Sequence, residues 1–205
     1  MCLCAFGTGC ATMTLAKPKP RQLASSPKRA PLSAQERQKI ALLAKQSLGK
    51  SRLKVGSTVF RNDCSGAVRG IFAKANIPLG GVIKNQREND VKAIYRYTQK
   101  YGKIVQQNPQ VGDIVFFHNT YDRSRNGKMN DALTHIGIVE KVEGPVVHFI
   151  HHLGQSIIRS RMDLSRPNLC FESGSNKRIN HILRKAQGKY RAYTTAELFA
   201  GFGQL

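Results

Sequence analysis

Residues 134–152 read THIGIVEKVEGPVVHFIHH, two stretches of apolar residues at period two on either side of a glycine. Such alternation marks half-buried strands, and Glu143-Gly144 between them supplies a turn, so the stretch predicts an antiparallel hairpin. With an odd loop, Val142 to Gly144, paired residues sum to 286. His135 then stands opposite His151, Gly137 opposite Phe149 and Val139 opposite Val147, all on one face. An even loop shifts the register by one and removes the direct opposition.

The period stays at two on both flanks. VGDIVFFH (111–118) and SIIRSRM (156–162) extend the hairpin into an antiparallel meander, and INHILRK (179–185) reads as a further strand. Thr194-Thr195-Ala196-Glu197 reads as the cap of a short C-terminal helix.

Upstream, the period is helical. Ser33-Ala34-Gln35-Glu36 is a capping box ahead of IALLAKQSLG, which predicts a helix over about 34–48 stopped by Gly49. CSGAVRGIFAKA (64–75) places Val68, Ile71 and Phe72 at helical spacing, with Asn62, Asp63 or Ser65 to cap it. RENDVKAIYRYTQKY predicts a third helix over about 87–101, ended by Gly102. Helices first and an antiparallel sheet after them make an α+β architecture.

The chain has 205 residues, enough for one domain with appendages, and 40% of them are hydrophobic. Its 33 Lys and Arg against 12 Asp and Glu leave a formal charge of +21. That excess points to polyanionic surroundings: nucleic acid, an anionic membrane face or an anionic cell-wall polymer. The cations are spread over tether, helices and loops with no interleaved aromatic platform, which argues against specific nucleic-acid binding. No run approaches the roughly 18 apolar residues of a spanning helix.

Residues 1–10 are small and apolar and end in Gly7-Thr8-Gly9-Cys10, which resembles a bacterial lipoprotein cleavage box. The expectation is a truncated lipoprotein signal with Cys10 as the lipidated residue, a start codon placed too far downstream accounting for the missing basic n-region. Residues 11–32 form a Pro/Lys-rich tether, and 33–205 form a single catalytic domain. Cys2 and Cys4 would be removed, leaving Cys64 and Cys170 as free thiols. The C-x-C-x5-C spacing of Cys2, Cys4 and Cys10 lacks a second half, so no metal site is expected there.

A free thiol, with a pKa near 8.5, is mostly protonated at neutral pH. A place in the first turn of a helix lowers that pKa, and a neighbouring imidazole lowers it further. Cys64 has the first by its position in CSGAVRG, and His135 with His151, on adjacent strands facing that helix, would supply a base and its orienter. His148 and His152 alternate to the other face as surface or packing residues. His118 and His181 are loop or strand-end residues, and Asp113 shapes a turn.

DCSG opening a helix, then VGDIVFFH, THIGIV and FIHH in that order, resembles the NlpC-type papain-like cysteine peptidases of bacterial cell walls, over roughly residues 50–165. The resemblance implies a papain-like α+β fold with the nucleophile helix packed on a central antiparallel sheet. It implies Cys64 as nucleophile, His135 as base and His151 as the orienting third residue, with Asp63 and Ser65 contacting the substrate's amino end. It implies no cofactor and no metal. The implied function is a peptidoglycan hydrolase, a cysteine endopeptidase cleaving stem-peptide amide bonds through a thiol acyl-enzyme, exported to the periplasm or cell envelope. Its partners would be peptidoglycan stem peptides and anionic wall or outer-membrane polymers, with the membrane touched only through the N-terminal lipid. KVGSTVFRN upstream carries Phe60 where the family usually has a Tyr, a departure that bears on substrate. CHAP-type N-acetylmuramoyl-L-alanine amidases share the fold and are the second reading. A non-catalytic cationic module binding polyanions is the third. The lecithin retinol acyltransferase type places His before Cys, the reverse of the order here.

In YDRSRNGKMNDALT, Asp122, Ser124, Asn126, Gly127 and Asn130 follow positions 1, 3, 5, 6 and 9 of a calcium loop. Position 12 is Leu133, and Arg123, Arg125 and Lys128 oppose a cation, so a flexible loop over the cleft is the preferred reading.

Overall fold

The computed structural model describes Met1, residues 30–80 and residues 89–205. The expected lipidation site Cys10, with Cys2, Cys4 and most of the tether, lies outside the described residues. Leu32, at the tether's end, is buried, and its N–H donates to the Leu205 carbonyl at 2.9 Å.

In chain order the elements are α1 (Ala34–Lys45), β1 (Lys54–Val55), β2 (Thr58–Val59), α2 (Cys64–Lys74), α3 (Asp90–Tyr101), β3 (Lys103–Val105), β4 (Ile114–Phe117), β5 (His135–Glu143), β6 (Val146–Leu153), β7 (Ser156–Asp163), β8 (Ile182–Arg184), β9 (Tyr193–Thr194) and β10 (Phe199–Gln204). Each helix begins on a side-chain oxygen that accepts one of the orphan N–H groups of a first turn. Ser33 and Glu36 close the reciprocal box on α1. Asp63 caps α2 and Asn89 caps α3. α1 stops at Lys45, three residues short of the predicted end, because residues 46–49 tighten into a turn whose Gly49 N–H donates to Ile157 O.

One antiparallel sheet in the order β3-β10-β4-β5-β6-β7 organises the molecule. The expected meander is β4 to β7. Alternate residues of its strands face two separate cores. Ile114, Phe116, Ile136, Ile138, Ile150 and Ile157 pack with α1, α2 and α3. Val115, Phe117, Val139, Val147, Phe149 and Met162 pack on the other side with Leu183, Ala196 and Leu198 from the segment after β7. The fold is α+β, with helix α2, which opens on Cys64, packed against the sheet.

Two expectations need correcting. The β5–β6 loop has two residues, not three: Glu143 pairs with Val146, and Gly144 turns the chain at φ +58. Partners therefore sum to 289 next to the turn. A bulge at Glu140 then changes the sum to 288, giving Val139↔Phe149 and Ile138↔Ile150. His135 is thus diagonal to His151 and not opposite it. The bulge restores the even parity that keeps both on one face.

The second correction is at the C-terminus, where no helix follows T-T-A-E. The box itself forms: Glu197 N–H donates to Thr194 Oγ1 at 3.1 Å and Thr194 N–H to Glu197 Oε2 at 2.9 Å. One turn later the chain becomes β10, paired on both sides. FAGFGQ alternates and holds two glycines, poor helix formers. Gly203 is required there, since a Cβ would lie 2.9 Å from both Phe116 and Thr98 side-chain atoms.

Candidate active site

Asp63, Cys64 and Ser65 form the start of α2. Asp63 Oδ1 accepts the Gly66 N–H at 2.8 Å and the Ser65 hydroxyl at 2.7 Å. Gly66 has room for nothing larger, because a Cβ would meet the Arg61 carbonyl oxygen at 2.1 Å. This close approach folds residues 61–63 over the helix start and leaves Cys64 at the floor of a cleft of about 510 Å³. Asp63, Ser65, Cys64 and His135 all line that cleft.

His135 is the first residue of β5 and pairs with Phe117 of β4. Its Nε2 lies 2.6 Å from His151 Nδ1, with the rings almost perpendicular at 89°. Gly137 makes room for this contact: a Cβ there would lie 3.1 Å from the His151 Cβ. The two imidazoles are on the sheet face away from the helices, alternating with Ile136 and Ile150. The expectation that they face the helix opening on Cys64 is therefore corrected. Cys64 and His135 share the cleft at the end of the sheet, where β5 begins beside the start of α2.

His151 continues the chain of contacts. Its Nε2 lies 2.9 Å from Ser160 Oγ on β7. Ser160 was missed in the sequence, although SIIRSRM contained the signal. Ile158 pairs with His151 and Ser160 with Phe149, so Ser160 alternates onto the imidazole face. His152 was also underestimated. It is buried at the cleft wall, and its Nε2–H donates to the Ser51 carbonyl at 3.0 Å.

The electrostatics hold the resting groups neutral. Burial pushes the Cys64 thiol up to about 12, Asp63's negative charge adds to the rise, and the Ile136 and Ser65 N–H groups oppose it. This reverses the expected lowering: no imidazole hydrogen-bonds the sulfur, and burial outweighs the helix terminus. Burial likewise pulls His135 down to about 4, with His152 adding to it, and holds His151 well below its ordinary value. Burial works to raise Asp63, but the Gly66 and Ser65 hydrogen bonds and the Arg61 charge bring it below its ordinary value. Asp63 is an anion beside the thiol.

α3 brings Asp90 to the same wall, where its Oδ2 is 3.3 Å from Arg61 Nη1 and 3.5 Å from the Ser65 hydroxyl. The 118–133 loop contributes Tyr121 and Arg123. The loop is pinned, not loose. Leu133 N–H donates to His118 Nδ1, Thr120 N–H to Thr134 Oγ1 and Asp131 N–H to Asn119 Oδ1. The carboxylates of the calcium reading are engaged in the same way. Asp122 accepts the Asn126 and Gly127 N–H groups and Asp131 those of Arg123 and Ser124, so both carboxylates are turned onto their own backbone. Among the described residues no His, Cys, Asp or Glu cluster fits a metal ion.

The remaining candidates are structural. His148 meets Glu143 at 2.9 Å, and His181 Nδ1 accepts the Arg161 N–H. Asp113 is buried, accepts the Gln110 N–H and the Gln204 side-chain amide, and pairs with Arg37. Cys64 and Cys170 are both free thiols.

No curated protein matches the chain. A solved structure from Staphylococcus aureus subsp. aureus Mu50, described as similar to lipoprotein, NLP/P60 family, is 23% identical, with a TM-score of 0.40. The match covers 69% of this chain and 40% of that one, so the present chain spans well under two thirds of its length. The NlpC/P60 family model matches residues 49–169, more than half of the sequence and every part of the cleft named above, and the chain belongs to the NlpC/P60 family.

Proposed function

We propose that this protein is a cysteine endopeptidase of peptidoglycan, cleaving stem-peptide amide bonds through a thiol acyl-enzyme. Membership of the family suggests cell-wall peptidase activity. The observation that carries the finer reading is the pair of imidazoles, His135 Nε2 2.6 Å from His151 Nδ1, at the cleft that holds Cys64.

With Nε2 engaged by His151, the nitrogen left for chemistry on His135 is Nδ1. His135 Nδ1 takes the thiol proton as Cys64 Sγ bonds to the scissile carbonyl carbon. The neutral resting pair makes this transfer part of the attack, not a step before it. The Cys64 backbone N–H at the start of α2 stabilises the oxyanion. Collapse of the tetrahedral intermediate breaks the C–N bond, and His135 gives its proton to the departing amine. Water, deprotonated by the same nitrogen, then attacks the thioester, releases the carboxylate and returns the thiol. Asp63 and Ser65 receive the substrate's amino end, for which an anionic Asp63 suits an ammonium group.

The same reading makes residues 1–10 a lipoprotein signal with Cys10 lipidated, residues 11–32 a tether and residues 33–205 the catalytic domain. It places the enzyme in the periplasm or cell envelope, its +21 charge held near anionic wall or outer-membrane polymers. The mass of the mature N-terminus tests the anchor.

The activity test is incubation of the wild type, Cys64→Ala and His135→Ala with purified peptidoglycan, reading new amine termini. Release by the wild type alone supports the proposal, and equal release by Cys64→Ala would falsify it. Release of whole stem peptides from the glycan would indicate the CHAP-type amidase reaction instead. Polymer binding without release would indicate the cationic module.

A further inference from the structure

We propose that Ser160 is a positioning residue of this site: its hydroxyl accepts the His151 Nε2–H and so favours the tautomers of both imidazoles that leave His135 Nδ1 free to take a proton. The inference rests on the assignment of His135 as base.

A neutral imidazole carries one N–H and one lone pair, and a hydrogen bond between two of them has a direction. His135 Nε2 and His151 Nδ1, 2.6 Å apart, share one proton. If His151 Nδ1 held it, His135 would carry its own proton on Nδ1, and that nitrogen could not accept the thiol's. The productive direction therefore has Nε2–H on His135 donating to His151 Nδ1. It follows that His151 also carries its proton on Nε2. That nitrogen is 2.9 Å from Ser160 Oγ, and both residues are buried, at 1% and 2% exposure.

Without the hydroxyl, the His151 Nε2–H has no acceptor among the described residues, and a buried unpaired donor is costly. Moving the proton to His151 Nδ1 replaces the unpaired donor with an unpaired acceptor, the smaller cost, and reverses the relay. The base is then blocked without any change in its position. Ser160 touches neither substrate nor sulfur; it acts through His151.

The test uses the full chain with nitrogen-15-labelled histidine, Ser160→Ala and Ser160→Thr. Imidazole nitrogen spectra at neutral pH should show Nε2–H on His135 and His151 in the wild type and in Ser160→Thr. In Ser160→Ala both should change to Nδ1–H. On peptidoglycan, Ser160→Ala should lose roughly tenfold in kcat, the scale of one lost hydrogen bond, with KM unchanged. Ser160→Thr should recover most of it. Wild-type His151 protonated on Nδ1, or Ser160→Ala with unchanged tautomers, overturns the proposal. The spectra need no substrate. If the wild type proves inactive on peptidoglycan, the peptidase reading falls and the spectra alone decide Ser160.

Discussion

The two faces of the central sheet are built from the same strands and do different work. On the helix side, Ile114, Phe116, Ile136, Ile138, Ile150 and Ile157 pack on three capped helices in a purely apolar layer. On the other side, Val115, Phe117, Val139, Phe149 and Met162 make a second core. That face carries a polar row, His135, His151 and Ser160, of which His135 lines the cleft. Moving one residue along β5 crosses from packing to the proposed chemistry. The second core therefore has two roles, since Phe149 lies 4.9 Å from the His151 ring.

That comparison can be broken by substitution. Ile138→Ala and Phe149→Ala should both destabilise, by about 2–5 and 3–5 kcal/mol in chemical denaturation. Phe149→Ala should also lower activity per folded molecule, while Ile138→Ala should not. Equal activity of the folded fractions would erase the distinction between the faces.

Acid should act through the polar row. His135, held at about 4 in the fold against 6.5 for an ordinary imidazole, binds a proton in the unfolded chain before it does in the native one. Its contribution is complete above about pH 6.5 and is lost as the pH falls towards 4, by up to about 3 kcal/mol. His135→Gln should flatten the stability profile in that window, and an unchanged slope would exclude His135 as the sensor.

A smaller effect lies at the helix start. Asp63→Asn keeps an N-cap oxygen, so stability should change by less than about 1 kcal/mol. Removing the anion beside the thiol should lower the Cys64 pKa, read as faster alkylation by iodoacetamide at a fixed pH near 9. A slower reaction would contradict the sign of the Asp63 interaction. The smallest effect is expected at the rim of the hairpin. Lys141→Ala breaks an exposed pair with Glu143 and should leave the denaturation midpoint essentially unchanged.

The helix side was the more legible in the sequence. Ser33 with Glu36 and Asp63 announce their helices through local hydrogen bonds, and the meander shows in its alternation. Local chemistry leaves a local pattern. The cleft composition around Cys64 and the shared face of His135 and His151 could also be read. The register could not, because the bulge at Glu140 has no motif of its own. β10 was hidden behind a capping box that forms but is overruled by pairing on both edges. The raised thiol pKa depends on burial created by distant segments, which no window of sequence contains.

The place of β10 has a consequence for how the molecule is made. β4 to β7 are successive hairpins and can pair in the order of synthesis, bringing His135, His151 and Ser160 together early. β3 and β4 are neighbours in the chain but lie two strand spacings apart in the sheet, roughly 10 Å, with the gap between them filled by residues 199–204. Until those residues leave the ribosome, β4 presents an unpaired edge, a template for another chain. Truncation before residue 199 should therefore yield an aggregating species that already carries its imidazole pair.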